Sequence, residues 1–334
     1  MKLRIILALA CVLAGASVAA SAQDNKAKPA ADANVSSGER DAAQKIEKAQ
    51  GAEAKLQAAA AFVKKYPTST LRPKVAQYVA GEIANTQDTQ TKISLAQAYL
   101  DIFNQPDEAA LVNDTLLNAY ITAGQADEAF KMGAARLAKN PDDVYLLRAL
   151  AIVASNQVLQ NHPDYAAQGQ QYGAKAIELI EADKKPAGID DAKWAAYKAE
   201  ALPSLYRALG AIAYKANDAP TAIAHFEKAI ALKLNEPAIY FLVADLNYGI
   251  YSDLGKQYQV MPAGPSKDAA LKQVEAQMDK TMDAYARALA LTPAGDQYKA
   301  AGEQARENLE ALYKYRHKGS TDGLQQLIDK YKKQ

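Results

Sequence analysis

Along most of the chain, apolar and small residues return every three or four positions, the spacing that gathers side chains on one face of a helix. The clearest stretch is LYRALGAIAYKANDAPTAIAHFEKAI, residues 205–230. Tyr206, Leu209, Gly210 and Tyr214 mark a first helix, Asn217-Asp218 a turn, and Ala222, Phe226 and Ala229 a second helix. The pattern repeats: Tyr206, Leu209 and Tyr214 recur as Tyr240, Val243 and Tyr248, a step of about 34 residues. Tyr285, Ala288 and Pro293 close that second unit. Upstream, Leu116, Tyr120, Gly124, Ala129 and Pro141 fall in register, and Leu150 lies one such step beyond Leu116. Weaker echoes occur at Phe62, Tyr66 and Pro67 and at Tyr172 and Ala176. After the last unit, residues 294–316 predict a helix with Tyr298, Ala301, Ala305, Leu309 and Leu312 on one face. The break at 318–321 is followed by a short helix carrying Leu324, Leu327 and Ile328.

This order of an aromatic, Leu-Gly, a tyrosine, a turn, Ala, an aromatic and Ala resembles the tetratricopeptide repeat family, across roughly residues 52–293. Tyr206, Leu209, Gly210, Tyr214, Ala222, Phe226 and Ala229 fill the family positions, with Tyr214 displaced by one and Leu234 where the family has proline. The resemblance implies an all-α, right-handed α-solenoid of tetratricopeptide-type helix pairs. No pair buries its own apolar face, so stability is a sum of neighbour interfaces closed by polar caps. Residues 41–293 are therefore expected to form the repeat array and residues 294–334 the capping helices.

Two places break the rhythm. From Tyr248 to Thr281 is a step of 33 residues where the period needs about 8. Gly255, Pro262, Gly264 and Pro265 suggest an inserted loop at 251–267, and long loops within compact arrays commonly serve binding. Between Asp190 and Asn217, Trp194, Tyr197, Ala201 and Leu205 form a helical stripe capped by Asp190 or Asp191, with Pro203 expected to kink or break it.

The first 22 residues read differently. Met1-Lys2-Leu3-Arg4, an apolar run from Ile5 to Ala20, and Ala20-Ser21-Ala22 make a secretory signal peptide with cleavage after Ala22. Cys11, the only cysteine, is expected to be a core residue of that leader rather than a lipid acceptor, leaving a thiol-free mature chain. Residues 23–40 read as a flexible linker. The expectation is a periplasmic or secreted protein with no membrane insertion after cleavage.

Composition narrows the function. Lys+Arg number 39 and Asp+Glu 38; without Lys2 and Arg4 the balance is 37 to 38. So even a balance argues against a nucleic-acid surface, which needs clustered excess cations. His162, His225 and His317 have no partners at metal-ligand spacing, and no nucleophile, dinucleotide or phosphate-loop motif is present. Catalytic, cofactor-binding and metal residues are accordingly none, and no cofactor is expected. Tyrosine stands out, with 19 Tyr against 5 Phe and 1 Trp, and suits half-wet contact surfaces.

What the resemblance implies is a non-catalytic scaffold or adaptor in the cell envelope that binds protein or peptide partners through the groove lined by first helices. Candidate contact residues on those helices are Arg207, Tyr214, Phe241, Asp245 and Tyr248, of which Tyr214 and Tyr248 are expected to pack more than to contact. Arg207 and Asp245 are expected to be dispensable for the core. The alternative is a secreted helical-repeat enzyme or small-ligand receptor; a closed cavity with converging polar groups separates the two.

Overall fold

A computed structural model describes residues 35–234, 236–292 and 295–332. The leader 1–22 with Cys11, the first part of the linker, and Pro293 lie outside the described residues. The described residues are helical, with no strand among them, and divide into two compact units at Pro141 and Asp142.

The first unit holds α1 (Ser37–Lys48), α2 (Gly51–Lys65), α3 (Arg72–Ala84), α4 (Thr89–Ile102), α5 (Pro106–Ala123) and α6 (Ala126–Leu137). Each helix packs on its successor, and α2 also touches α4 while α3 touches α5. The expected linker therefore ends before residue 37. Ser36 starts a helix because its hydroxyl accepts from the Glu39 amide at 3.2 Å while the Glu39 carboxylate accepts from the Ser36 amide at 2.8 Å. Phe62, Ile83, Ile93, Tyr99, Phe103, Val112 and Leu116 fill the core. Gly124 ends α5 in the left-handed region at φ 67°, the turn its sequence position suggested.

The second unit holds α7 (Val144–Leu159), α8 (Ala166–Glu181), α9 (Asp191–Lys215), α10 (Ala219–Ala231), α11 (Pro237–Val260), α12 (Pro265–Leu291), α13 (Asp296–Arg316) and α14 (Leu324–Asp329). Consecutive helices from α7 to α13 pack together, α7 also reaches α9, α11 reaches α13, and α14 lies on α12. The repeat register is visible in burial. Tyr206 and Tyr240 are both buried, Leu209 and Val243 are both buried, and Tyr214 and Tyr248 are both about two-fifths exposed. On the second helices Ala222 and Thr281, Phe226 and Tyr285, and Ala229 and Ala288 are likewise buried in pairs, each pair at the same offset along the chain. Small residues set the helix approach: a Cβ on Gly210 would lie 2.6 Å from the Phe226 ring, and one on Gly173 would lie 2.8 Å from Leu209. The turn at Asn217 (φ 59°) delivers Asp218 to cap α10 through the Thr221 amide at 3.2 Å.

Two expectations about this unit are corrected. The segment 251–267 is not a loop: α11 continues to Val260, α12 begins at Pro265, and only residues 261–264 turn. Proline is compatible with the first position of a helix, where its missing N–H has no intrahelical partner, and one glycine at 255 costs a helix only about 1 kcal/mol. The extra residues lengthen both helices into a hairpin arm in which no residue from 252 to 273 is buried. Likewise, α9 runs unbroken through Pro203. Contacts of α9 with α7, α8 and α10 hold both halves of the helix, so the single bond lost at the Ala199 carbonyl does not end it.

Candidate binding surface

The five sequence-nominated residues divide by exposure. Arg207 and Phe241 are core residues at 8% and 3% exposure. Arg207 lies in the interior of α9 with Nε 3.5 Å from the Glu236 carboxylate, and the Phe241 ring sits 6.3 Å from that of Tyr298. The expectation that Arg207 is dispensable for the core is therefore overturned: its side chain is packed in the interior, with its guanidinium facing a partly exposed Glu236. Tyr214 and Tyr248 are 38% and 39% exposed, and Tyr248 also packs against neighbouring rings.

Asp245 is half-buried and belongs to a polar chain across three helices. The Tyr285 hydroxyl of α12 donates to Asp245 Oδ1 at 2.9 Å, and Asn308 Nδ2 of α13 donates to the Tyr285 oxygen at 2.9 Å. Burial raises the Asp245 carboxyl above its ordinary range, with the Tyr285 hydrogen bond opposing it. Burial, followed by the neighbouring Asp245, pushes the Tyr285 phenol up. Beside this chain a second link ties α11 to α12, where Gln277 Nε2 donates to Asn247 Oδ1 at 2.9 Å and Asn247 Nδ2 donates to the Val243 carbonyl at 2.8 Å.

On α11, Asp245, Tyr248 and Tyr251 follow one another at three-residue steps and share a face. Tyr248 meets Tyr251 at 6.1 Å and Tyr285 at 6.4 Å between ring centroids. Tyr315 of α13, the most exposed tyrosine at 75%, is near enough to Tyr251 to raise its phenol, after burial, together with Tyr248. The structure thus joins Asp245 and Tyr248 of the nominated set with Tyr251, Tyr285 and Asn308, while Tyr315 stands exposed on the neighbouring α13. The three-residue stripe on α11 was readable in the sequence; the contribution of α13 was not.

A second aromatic group lies on α7 and α9. Tyr145 packs edge-on against Tyr197 at 4.6 Å, and Trp194 stacks on Tyr197 at 5.5 Å. Trp194 is buried and its indole N–H donates to Asp183 at 2.8 Å, so it is a packing residue. Asp190 caps α9 by accepting from the Lys193 amide at 2.8 Å. His225 is half-buried against Tyr206, and burial, then Lys228, lowers its imidazole. Among the described residues no three His, Cys, Asp or Glu side chains gather as a metal site, and no helix is long and apolar enough to cross a membrane.

No protein-family model matches the chain, and no curated protein matches it. Among solved structures it is similar to a tetratricopeptide repeat protein from Parabacteroides merdae ATCC 43184, at 11% identity and a TM-score of 0.37, covering 82% of this chain and 96% of that one. The helical-repeat character of the chain rests on its own helices and on the burial that recurs with the repeat period.

Proposed function

We propose that the protein is a non-catalytic interaction scaffold of the cell envelope, exported through its leader and released after Ala22, which binds a protein segment along the first helices of its repeats. The observation that carries this reading is the recurrence of exposed Tyr214 and Tyr248 one repeat period apart, while Ala213 and Asn247 just before them are buried. Equivalent positions of adjacent repeats point the same way, so such side chains offer a continuous strip to an extended partner. Tyrosine brings a rigid apolar body with a polar tip, a composition favoured at contact surfaces. A photo-crosslinking amino acid placed in turn at 214, 248 and 315 in the exporting cell, with adducts identified by mass spectrometry, tests the reading. One recurrent protein adduct from at least two of these positions is expected; adducts from none of them would overturn it. N-terminal analysis of the same material is expected to begin at Gln23, and retention of residues 1–22 would refute export by cleavage.

A further inference from the structure

Acid–aromatic groupings recur in this chain, and nearly all of them carry a cation of their own. Lys55 lies 4.9 Å over Tyr78 and 2.9 Å from Glu82. Lys198 lies 5.9 Å over Trp194 and 2.5 Å from Asp183. Arg148 lies 5.5 Å over Tyr197 and 2.8 Å from Glu200. Lys330 lies 4.8 Å over Tyr331 and 3.1 Å from Asp283. Lys228 lies 5.4 Å over Tyr206, whose hydroxyl donates to Glu181 at 2.6 Å.

The group formed by Asp245, Tyr248, Tyr251 and Tyr315 departs from this rule. Among the described residues no lysine or arginine pairs with Asp245 or lies over any of these tyrosines. Three cations nearby in sequence are already matched, Lys256 to Asp253 at 2.9 Å, Lys314 to Glu310 at 2.5 Å and Arg316 to Asp279 at 3.1 Å. The hydrogen bond from Tyr285 fixes Asp245 Oδ1 but brings no positive charge, and burial has made the carboxylate costly to keep ionised. A half-buried carboxylate on the same helix face as two tyrosines, with no cation of its own, favours a positively charged side chain, by ion pairing and by attraction to the ring quadrupoles together.

We propose that Asp245, Tyr248, Tyr251 and Tyr315, set between α11 and α13 over α12, hold the lysine or arginine side chain of an extended partner segment. This rests on the scaffold reading above and specifies the chemistry of its partner. Tyr248 and Tyr315 are the exposed aromatic side chains, Asp245 the counter-charge, and Tyr285, held in turn by Asn308, fixes the carboxylate. The chain itself carries almost no net charge, so recognition is local and not the result of a broad field.

Fluorescence anisotropy of the full chain with four labelled dodecapeptides tests this. The peptides share a Gly/Ser/Ala frame and carry four Lys, four Arg, four Glu or four Ser at the same positions. Expected are Lys and Arg peptides binding about tenfold more tightly than the Ser peptide, with the Glu peptide weakest. Asp245→Asn should reduce that preference to about threefold or less, and Tyr248→Ala should weaken the basic peptides while Tyr248→Phe, which keeps the ring, does not. Asp101→Asn, an exposed acid of the first unit, should change nothing. Equal binding of all four peptides, tighter binding of the Glu peptide, or an equal loss in Asp101→Asn and Asp245→Asn would overturn the proposal. Those results combined with crosslinks at 248 would leave the scaffold reading standing and remove only the cation; absence of crosslinks at all three positions would remove the scaffold reading itself.

Discussion

At the scale of single residues, the strongest polar feature in the first unit joins two distant positions. Arg72 and Glu108 are buried and paired through both guanidinium arms, Nε to Oε1 at 2.6 Å and Nη2 to Oε2 at 2.9 Å. The pair is closed in by the Phe103 ring under the guanidinium and by the Tyr99 hydroxyl, 3.2 Å from the Glu108 carbonyl. Glu108→Ala would strand a buried cation, and urea unfolding should register a loss of about 3–5 kcal/mol. A loss under about 1 kcal/mol would show that water reaches Arg72. Asp245 works in the opposite direction. Its carboxyl is raised by burial, so the folded state prefers it neutral: that contribution is full below the ordinary carboxyl value and fades as pH rises through the folded one. Asp245→Asn, an uncharged near-isostere, should therefore melt at or above the parent at pH 7 and lose that advantage toward pH 4. A variant less stable at pH 7 than at pH 4, relative to the parent, would contradict the assignment.

At the scale of elements, two glycines make opposite forecasts. Gly210 sits where α9 crosses α10, and a Cβ there meets the Phe226 ring at 2.6 Å, within a core that cannot yield freely. Gly210→Ala should cost about 1–3 kcal/mol, and Ala222→Leu at the same helix contact should cost a similar amount. Gly255, in the arm of α11, has nothing within 4 Å of its would-be Cβ, so Gly255→Ala should stabilise by up to about 1 kcal/mol. The arm itself makes a further forecast. Since no residue between 252 and 273 is buried, excising 253–259 and 266–272, about two helical turns from each side, should leave the melting temperature within a few degrees of the parent. A larger drop would mean that the arm supports the core.

At the scale of the whole molecule, carboxyls at helix starts and in ion pairs set the response to acid. Asp88 and Asp218 are held below the ordinary carboxyl range first by the hydroxyls of Thr91 and Thr221 and then by the amides of the same residues, and Asp190 first by the Lys193 amide, all at the start of a helix. Glu108 is held low by Arg72 in the same sense. Groups with lowered values contribute stability that is present above the ordinary carboxylate range, near about 4, and is lost as pH falls through the folded values. The melting temperature followed by circular dichroism should accordingly be nearly level from about pH 7 to 5 and fall steeply below about pH 4, with a helical spectrum throughout the folded range. A steady decline beginning near pH 6 would point to histidine instead.

The sequence by itself determined the repeat and most of its helices and turns, because these depend on local rules: apolar spacing near 3.6, a capping oxygen before some helices such as α9 and α10, and a residue at positive φ after others such as α5 and α9. Asn217-Asp218, Gly124-Gln125 and Asp190 were legible for that reason, as was the close approach at Gly210. Tertiary structure decided what the local rules leave open. Pro203 and Gly255 read as breakers, yet neighbouring helices or a continuous ladder on both sides carry the chain through them. Arg207 and Phe241 share a helix face with exposed neighbours in sequence, but which face meets the next helix is set by packing, and packing buried them. The surface on Asp245 was half visible in one stripe of α11. The tyrosine on α13, the hydrogen bonds from α12 and the lack of a matching cation arise only where three helices meet, a relation between residues far apart in sequence that no spacing along the chain can express.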